Sequence, residues 1–221
     1  MSKQRSQGTK PAEAQATVLL GVDPGTQQTG WAVLTATSGG TPTLLAHGTM
    51  IPRSRLIGMD RQLWLLSRLQ DIIAEHPPQI LAYEGFTWRA DELYVRGRPG
   101  MERLIGGIQA LALMPPYPVV VELLPARWGR QLVGQRQHTK AQIAFAVNCR
   151  LGTTFKGDTY DNHKVDAIGI ALVALDTLKA QHYQNRYRKA SSAIQKSSRS
   201  SRMTQSLSER AEEYGHATKK T

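Results

Sequence analysis

Cysteine is nearly absent from this chain of 221 residues, which has Cys149 alone. A single cysteine excludes an intramolecular disulfide framework and any zinc site built from several cysteines. Long apolar runs are also missing, because proline residues or Asp166 interrupt the longest candidates before they reach the roughly 18 apolar residues of a membrane-spanning helix. Residues 1–16 are polar and have no secretory signal. We therefore expect a cytoplasmic protein that does not associate with membranes.

Acidic residues are scarce relative to basic ones. The chain has 28 Lys and Arg against 17 Asp and Glu, for a formal net charge of +11. Such an excess makes a polyanion the expected partner, with nucleic acid first and an anionic membrane second. The excess lies mainly at the ends, since residues 179–221 carry ten Lys and Arg against three Glu, or +7. Residues 17–178 are nearly balanced, at +2.

Composition divides the chain into three zones. Residues 1–16 are predicted to be a disordered N-terminal lead. Residues 17–178 carry nearly all the apolar periodicity and are expected to form one domain. Residues 179–221 form a basic tail, rich in serine, that has too few large apolar residues to offset chain entropy. We expect most of this tail to be disordered.

The middle zone alternates strand and helix signals. Short apolar runs that end at turn residues predict strands over 18–23, 29–35, 43–50, 79–84 and 118–122. Helical spacing of apolar residues predicts helices over 56–73, 100–114, 139–150 and 162–178. The first three strands follow one another as an antiparallel meander. The order predicts an α/β fold with a five-stranded mixed sheet and helices on both faces.

Carboxylates occur where the strands and the last helix would bring them together. Asp23 ends the first strand and Glu84 ends the fourth, and these strands can be neighbours in a mixed sheet. Asp161, His163 and Asp166 open the last helix. His163 and Asp166 are three positions apart and share one helix face.

Each of these residues also has a simple structural explanation. Asp23 before a Pro-Gly pair is often a turn residue, Glu84 can be a surface residue at a strand end, and Asp161 can be a helix N-cap. Asp166 is harder to explain in this way, because it lies in an apolar helix where a buried carboxylate needs a partner.

Clustered carboxylates suggest a metal-dependent reaction. Three of them within a few ångströms repel one another, and a hard cation such as Mg²⁺ or Mn²⁺ relieves that repulsion. Two such ions can clamp the attacking and leaving oxygens of a phosphodiester displacement. The hypothesis is therefore a nuclease or a strand-transfer enzyme.

Four motifs, in this order, resemble the RuvC-type Holliday-junction resolvases, which have an RNase H-like fold. They are GVDPGT at 21–26 with TGWAV at 29–33, LAYE at 81–84, LVG at 132–134 with TKAQ at 139–142, and HKVDAIGIA at 163–171. The resemblance implies a homodimer in which each protomer nicks one of two opposed strands of a four-way junction. It also implies that Asp23, Glu84 and Asp166 bind Mg²⁺. A fourth catalytic and metal-binding position falls to His163, with Asp161 as the alternative.

The resemblance also implies DNA contacts. Arg130 and Lys140 match positions where the family has basic residues close to the cut phosphate, and the alternative is a solvated surface charge. Phe86 and Trp88 follow Glu84, where an aromatic of the family stacks on bases opened at the junction centre. The alternative is that one of them packs against the sheet. A branch-migration helicase is a possible partner that the sequence does not identify.

Four other functions are compatible with part of the pattern. An RNase H-like enzyme of looser branched-DNA specificity would share the acidic residues, as would a strand-transfer enzyme. The segment Asp-Pro-Gly-Thr at 23–26 also resembles a phosphate loop of the actin-like ATPases, but the chain shows no second copy of that fold. A DNA-binding relative without activity would be expected to lack part of the acidic set.

The charge distribution predicts the effect of removing residues 183–221. Binding to DNA should weaken and its dependence on salt should become shallower, because fewer counterions are released. Cleavage of a saturated junction should persist. Binding is measured by fluorescence anisotropy across a salt series, and cleavage is measured at saturating protein. A truncated chain without cleavage at saturation would show that the tail belongs to the catalytic fold.

Overall fold

The computed structural model describes residues 16–37, 40–86, 98–158, 162–181 and 184. The chain divides into two units, Met1–Leu175 and Asp176–Thr221. In the second unit, residues 176–181 and 184 are described and are helical. The predicted lead and most of the predicted tail lie outside the described residues. No helix within the described ranges is long and apolar enough to cross a membrane.

A mixed sheet of five strands forms the centre of the first unit in the described part of the chain. The strands are β1 (Thr17–Asp23), β2 (Thr29–Ala36), β3 (Thr43–Met50), β4 (Ile80–Glu84) and β5 (Val119–Leu123). Their order across the sheet is β3-β2-β1-β4-β5. The first three strands pair antiparallel, whereas β1–β4 and β4–β5 pair parallel. The predicted mixed sheet is confirmed, and its first and fourth strands are neighbours.

Burial explains why the strands take these positions. The apolar runs of β1 and β4 are almost wholly buried, as expected of central strands covered on both faces. In β3, exposed residues alternate with partly buried ones until the strand ends at the buried Met50, which suits a strand at the edge of the sheet. β1 and β4 therefore lie side by side in the interior of the sheet, and both end in a carboxylate.

Five helices accompany the sheet in the described ranges: α1 (Gly58–Glu75), α2 (Arg98–Leu111), α3 (Pro125–Val133), α4 (Lys140–Leu151) and α5 (162–181). Four of them were predicted, with ends that differ by a few residues. The helix predicted over 100–114 ends at Leu111, and residues 112–114 continue in turns whose hydrogen bonds join residues three positions apart.

The omission of α3 from the predicted elements was wrong. The helix has only nine residues, fewer than the window of about 11–18 residues over which helical periodicity is read. Its ends nevertheless carry recognisable signals. Pro125 occupies the start of the helix, where its missing N–H costs nothing, and Gly134 ends it in the left-handed conformation at φ 81°.

Helices cover both faces of the sheet, as predicted. One face holds Leu20, Val22, Leu81 and Tyr83 in a core with buried apolar residues of α1 and α2. Side chains alternate along a strand, so Gly21 points to the opposite face. There it meets α5, whose residues 165–175 are all buried.

Two glycines allow α5 to lie directly on β1 and β2. A Cβ atom on Gly21 would overlap the backbone carbonyl of Ala167, and one on Gly30 would overlap the carbonyl of His163. Both are therefore places where the helix backbone approaches a strand more closely than any other residue allows. This close approach sets the height of the first turns of α5 above the ends of β1 and β2.

Substitution of a glycine at one of these contacts tests how α5 is held against the sheet. Gly30→Ala should lower the free energy of unfolding by roughly 1–3 kcal/mol, because the added methyl group forces the helix away from β2. The matched control is Gly106→Ala in α2, where a Cβ meets nothing within 4 Å. The control should leave stability unchanged or raise it by up to about 1 kcal/mol through better helix propensity. Urea denaturation measures both, and equal stability of the two variants would contradict the close approach.

Candidate active site

The parallel pairing of β1 and β4 brings two carboxylates to one edge of the sheet. Val22 is in register with Tyr83, so Asp23 and Glu84 follow side by side at the carboxyl ends of the strands. Both line a cavity of about 340 Å³. Its other walls come from the segments that follow these strands and from α2 and α3, through Pro24, Gly85, Phe86, Met101, Ile105 and Pro125.

The start of α5 adds two more functional groups. His163 Nδ1 lies 2.7 Å from Asp23 Oδ2. Asp166, one helical turn further along, has a side chain that is only 5% exposed and forms an ion pair with the ammonium group of Lys140. The structure therefore brings Asp23, Glu84, His163 and Asp166 together from three elements that are far apart in sequence.

Local hydrogen bonds hold the turn after Asp23. The hydroxyl group of Thr29, which is buried, donates to the carbonyl of Gly25 at 2.8 Å and accepts from the Gly25 N–H at 3.3 Å. Arg61 of α1 donates to the side chain of Gln27 at 2.8 Å. These contacts join the two ends of the turn and fasten it to a helix, so the backbone that carries Asp23 is fixed on both sides.

Lys140 reaches the site because a cap fixes where α4 begins. Thr139 accepts from the Gln142 N–H, and the Gln142 side chain accepts from the Thr139 N–H at 2.8 Å, which completes a capping box. Lys140 is thus the first residue of the helix. A cation at that end opposes the helix dipole, and the carboxylate of Asp166 supplies the compensating negative charge.

The surroundings of the cluster raise the pKa values of Glu84, Asp166 and His163. Burial raises the pKa of Glu84 to about 8, with further increases from the charges of Asp23 and Asp166, while Lys140 opposes the shift. Burial likewise raises the pKa of Asp166, against the opposing hydrogen bond from Lys140. The hydrogen bond to Asp23 raises the pKa of His163. Without a bound cation, this site therefore takes up protons to limit its negative charge.

The donor set fits a hard cation, although the side chains are not arranged around one. In the described ranges, no three His, Cys, Asp or Glu side chains are grouped so as to hold a metal ion. Asp23 and Asp166 instead contact His163 and Lys140. Oδ1 of Asp166 is nevertheless buried without a hydrogen-bond partner. Carboxylate oxygens that repel one another, one of them unsatisfied, are suited to Mg²⁺ or Mn²⁺ once the side chains turn toward it.

The remaining predicted site residues have different surroundings. Phe86 lines the cavity beside Glu84 and is 38% exposed. Arg130 is exposed in the last turn of α3. Trp88 and Asp161 lie outside the described residues.

Sequence reasoning missed the walls that α2 and α3 give to the cavity. Met101 and Ile105 are four positions apart on α2 and line the cavity together. In the sequence they look like part of an ordinary core-facing stripe. Pro125 belongs to the helix that was not predicted at all. Only the packing of α2 and α3 beside the carboxylates distinguishes these residues from core positions.

Comparison with known proteins gives a consistent family. The model of the family "Crossover junction endodeoxyribonuclease RuvC" matches residues 19–174. The chain is 32% identical to the crossover junction endodeoxyribonuclease RuvC of Caulobacter vibrioides over 71% of its own length and 88% of that protein. It is 29% identical to the protein of the same name from Parvibaculum lavamentivorans, over 69% and 83% of the two chains.

Solved structures share the fold. The T. thermophilus RuvC in complex with a Holliday junction substrate has a TM-score of 0.60 and 23% identity, over 71% of this chain and 92% of the other. The yeast mitochondrial Holliday junction resolvase Ydc2 has a TM-score of 0.51 and 15% identity, over 78% and 84%. At these identities the likeness shows the fold alone, which agrees with the predicted mixed sheet of five strands flanked by helices.

The raised pKa of Glu84 predicts how stability of the metal-free protein depends on pH. The contribution of protonated Glu84 to the stability of the folded state is fully present below the unfolded-state pKa of 4.5. This contribution is lost as the pH rises through the folded-state pKa of about 8. Glu84→Gln should therefore raise the free energy of unfolding by roughly 1–3 kcal/mol at pH 9 and change it little at pH 5. Thermal melts in EDTA measure the difference.

The control for this variant is Glu75→Gln, which changes an exposed glutamate at the end of α1. It should shift the melting temperature equally little at both pH values. A Glu84→Gln chain that is no more stable than wild type at pH 9 would show that Glu84 is not held among other negative charges.

Proposed function

The chain belongs to the RuvC family of crossover junction endodeoxyribonucleases, and from that premise we propose that it resolves four-way DNA junctions by paired, symmetric nicks. The observation that carries the proposal is the meeting of Asp166 and His163 with Asp23 and Glu84 at the carboxyl ends of two parallel strands. Asp23 and Glu84 line an open cavity, and divalent ions bound by the acidic cluster would supply the positive charge that attracts a phosphodiester group.

Asp23, Glu84 and Asp166 are the proposed ligands of Mg²⁺, with Mn²⁺ as a substitute and two ions in each site. Family members are metal-dependent nucleases, and the unsatisfied oxygen of Asp166 supports a cation at this position. Bound divalent ions would polarise the phosphate and lower the pKa of the attacking water. The three carboxylates would orient the ions, and the raised pKa values of Glu84 and Asp166 would fall as the ions replace bound protons.

His163 is the proposed fourth catalytic residue. Its contact with Asp23 holds the imidazole at the site and favours its protonated form. A protonated imidazole can give a proton to the oxygen that leaves the phosphorus. Asp161 remains the alternative for this role.

DNA contacts are proposed for Phe86, Trp88, Arg130 and Lys140. Phe86 lies in the wall of the cavity next to Glu84, where an exposed ring can stack on an unpaired base. Arg130 and Lys140 would contact phosphates and set the position of the strand. Two such sites in a homodimer would face the two opposed strands of one junction. We expect this to take place in the cytoplasm, on the DNA of a bacterial or phage-infected cell, with an organelle as the alternative.

The test is cleavage of a four-way junction in the presence of Mg²⁺. Mobile and fixed junctions should both be bound, and the product gel should show nicks at symmetric positions in two opposed strands. A linear duplex of the same sequence is the control and should remain intact. Equal cleavage of the duplex would favour a nuclease of looser specificity, and joined products would favour strand transfer. Binding without any cleavage would contradict an active resolvase.

Substitution of the carboxylates tests the site assignment. Asp23→Asn, Glu84→Gln and Asp166→Asn should each lower the rate of junction cleavage by at least about a hundredfold while junction binding persists, because each removes a proposed metal ligand. The matched control is Glu122→Gln on the neighbouring strand β5, where the amide can still accept the hydrogen bond from Tyr83. This control should cleave within about threefold of wild type. Full activity in any of the three variants would overturn the assignment.

The fourth role is tested by comparing two alanine variants. His163→Ala should slow cleavage more than Asp161→Ala, because His163 contacts Asp23 directly. Single-turnover rates on a saturated junction separate this effect from weaker binding. The opposite ranking would assign the fourth role to Asp161.

A further inference from the structure

We propose that Lys140 is an internal counter-ion of the metal-free site, which a divalent cation displaces from Asp166 and so makes available to the phosphate of bound DNA. The inference deepens the proposed function, because it takes the carboxylates as metal ligands. It adds that one residue of the chain competes with the metal for the same oxygen atoms.

The two partners of the ion pair differ in exposure. The side chain of Asp166 is 5% exposed, whereas that of Lys140 is 51% exposed. A buried carboxylate needs a cation or a proton at all times, because leaving it charged and unpaired is costly. An ammonium group on a half-exposed, flexible stem can move into water at little cost. Lys140 is therefore the partner that can leave, and Asp166 is the partner that must be compensated.

The ion pair satisfies only part of the carboxylate. Lys140 contacts Oδ2 of Asp166, while Oδ1 is buried without a hydrogen-bond partner in the described residues. A lysine ammonium is a single point charge and leaves the second oxygen unused. A divalent cation with its bound water molecules can interact with both oxygens. This unsatisfied atom indicates that the ion pair is not the final partner of Asp166.

The position of Lys140 is fixed by local structure. The capping box between Thr139 and Gln142 makes it the first residue of α4. Gly157 packs directly on the backbone of Ala141, so the start of the helix is also held from outside. This end of the helix has a positive potential that disfavours a lysine and favours an anion such as phosphate. The site therefore retains a cation where the helix alone would not.

The charge of Lys140 acts on two of the proposed ligands. It opposes the increase in the pKa of both Asp166 and Glu84. A metal ion that arrives at these carboxylates must overcome the same positive charge. Lys140 therefore weakens metal binding in the free protein, and a DNA phosphate that attracts its ammonium group would remove that competition. Metal and DNA are then expected to strengthen each other's binding.

The experiment measures Mn²⁺ binding to the full chain without DNA, by calorimetry at low ionic strength. Lys140→Gln should bind Mn²⁺ about tenfold more tightly than wild type, because one competing charge at contact distance is gone. Lys140→Arg keeps the charge and should stay within about twofold of wild type. Lys156→Gln removes an exposed lysine before Gly157 and should also stay within twofold. Unchanged or weaker binding by Lys140→Gln would overturn the proposal.

A second measurement follows the displacement of Lys140 from Asp166 by the metal ion in the wild-type chain. The rate at which an amine reagent modifies Lys140, measured by mass spectrometry of its peptide, should rise several-fold when Mg²⁺ is added. The rate at Lys156 should not change. A Lys140 rate that is insensitive to Mg²⁺ would mean that the ion pair persists beside the metal, which contradicts displacement. This readout needs no variant and remains decisive if Lys140→Gln fails to fold.

Neither measurement depends on cleavage. A chain that shows exchange at Lys140 but does not cut four-way junctions would refute the proposed function and leave the counter-ion in place. A chain that cuts junctions, but in which Mg²⁺ does not displace Lys140 from Asp166, would support the proposed function and refute the counter-ion role of Lys140.

Discussion

Repulsion between buried carboxylates is the constraint on which this structure depends. Asp23, Glu84 and Asp166 carry like charges into a partly buried edge of the sheet, where each ionised form raises the free energy of the others. Every neighbouring cationic group acts against that cost. His163 contacts Asp23, Lys140 contacts Asp166, and Glu84 retains its proton up to about pH 8. The fold thus maintains an arrangement that is unfavourable without a cation.

Backbone features keep the carboxylates from moving apart. Parallel pairing fixes Asp23 beside Glu84, and the close contacts at Gly21 and Gly30 prevent α5 from rising off the sheet. The buried apolar residues of α5 hold Asp166 in the same position. Hydrophobic burial along the helix is large compared with the repulsion at one end of it, so the helix stays in place.

The sequence predicts most of the sheet because its signals are local. An apolar run before Asp23, another before Glu84 and a long apolar helix around Asp166 each follow from neighbouring residues. To predict that these three carboxylates lie close together, one further step was needed, the pairing of the first and fourth strands, which the order of elements favours. The ion pair of Lys140 with Asp166 could not be predicted, because 26 residues separate them and nothing in either segment specifies the contact. The helix α3 was not predicted for a different reason, because nine residues are fewer than the window of about 11–18 residues over which helical periodicity is read.

The burial of α5 has a consequence for the dynamics of the site. Residues 165–175 are all buried, and Asp166 is the only ionisable group among them. Amide protons in so buried a helix exchange with solvent only when much of the domain opens. A reactive group on the buried part of this helix therefore keeps its position until the domain itself unfolds, unlike a group on a surface loop, which can open locally. Hydrogen exchange at residues 165–175 would therefore report opening of the domain and not fraying at a helix end.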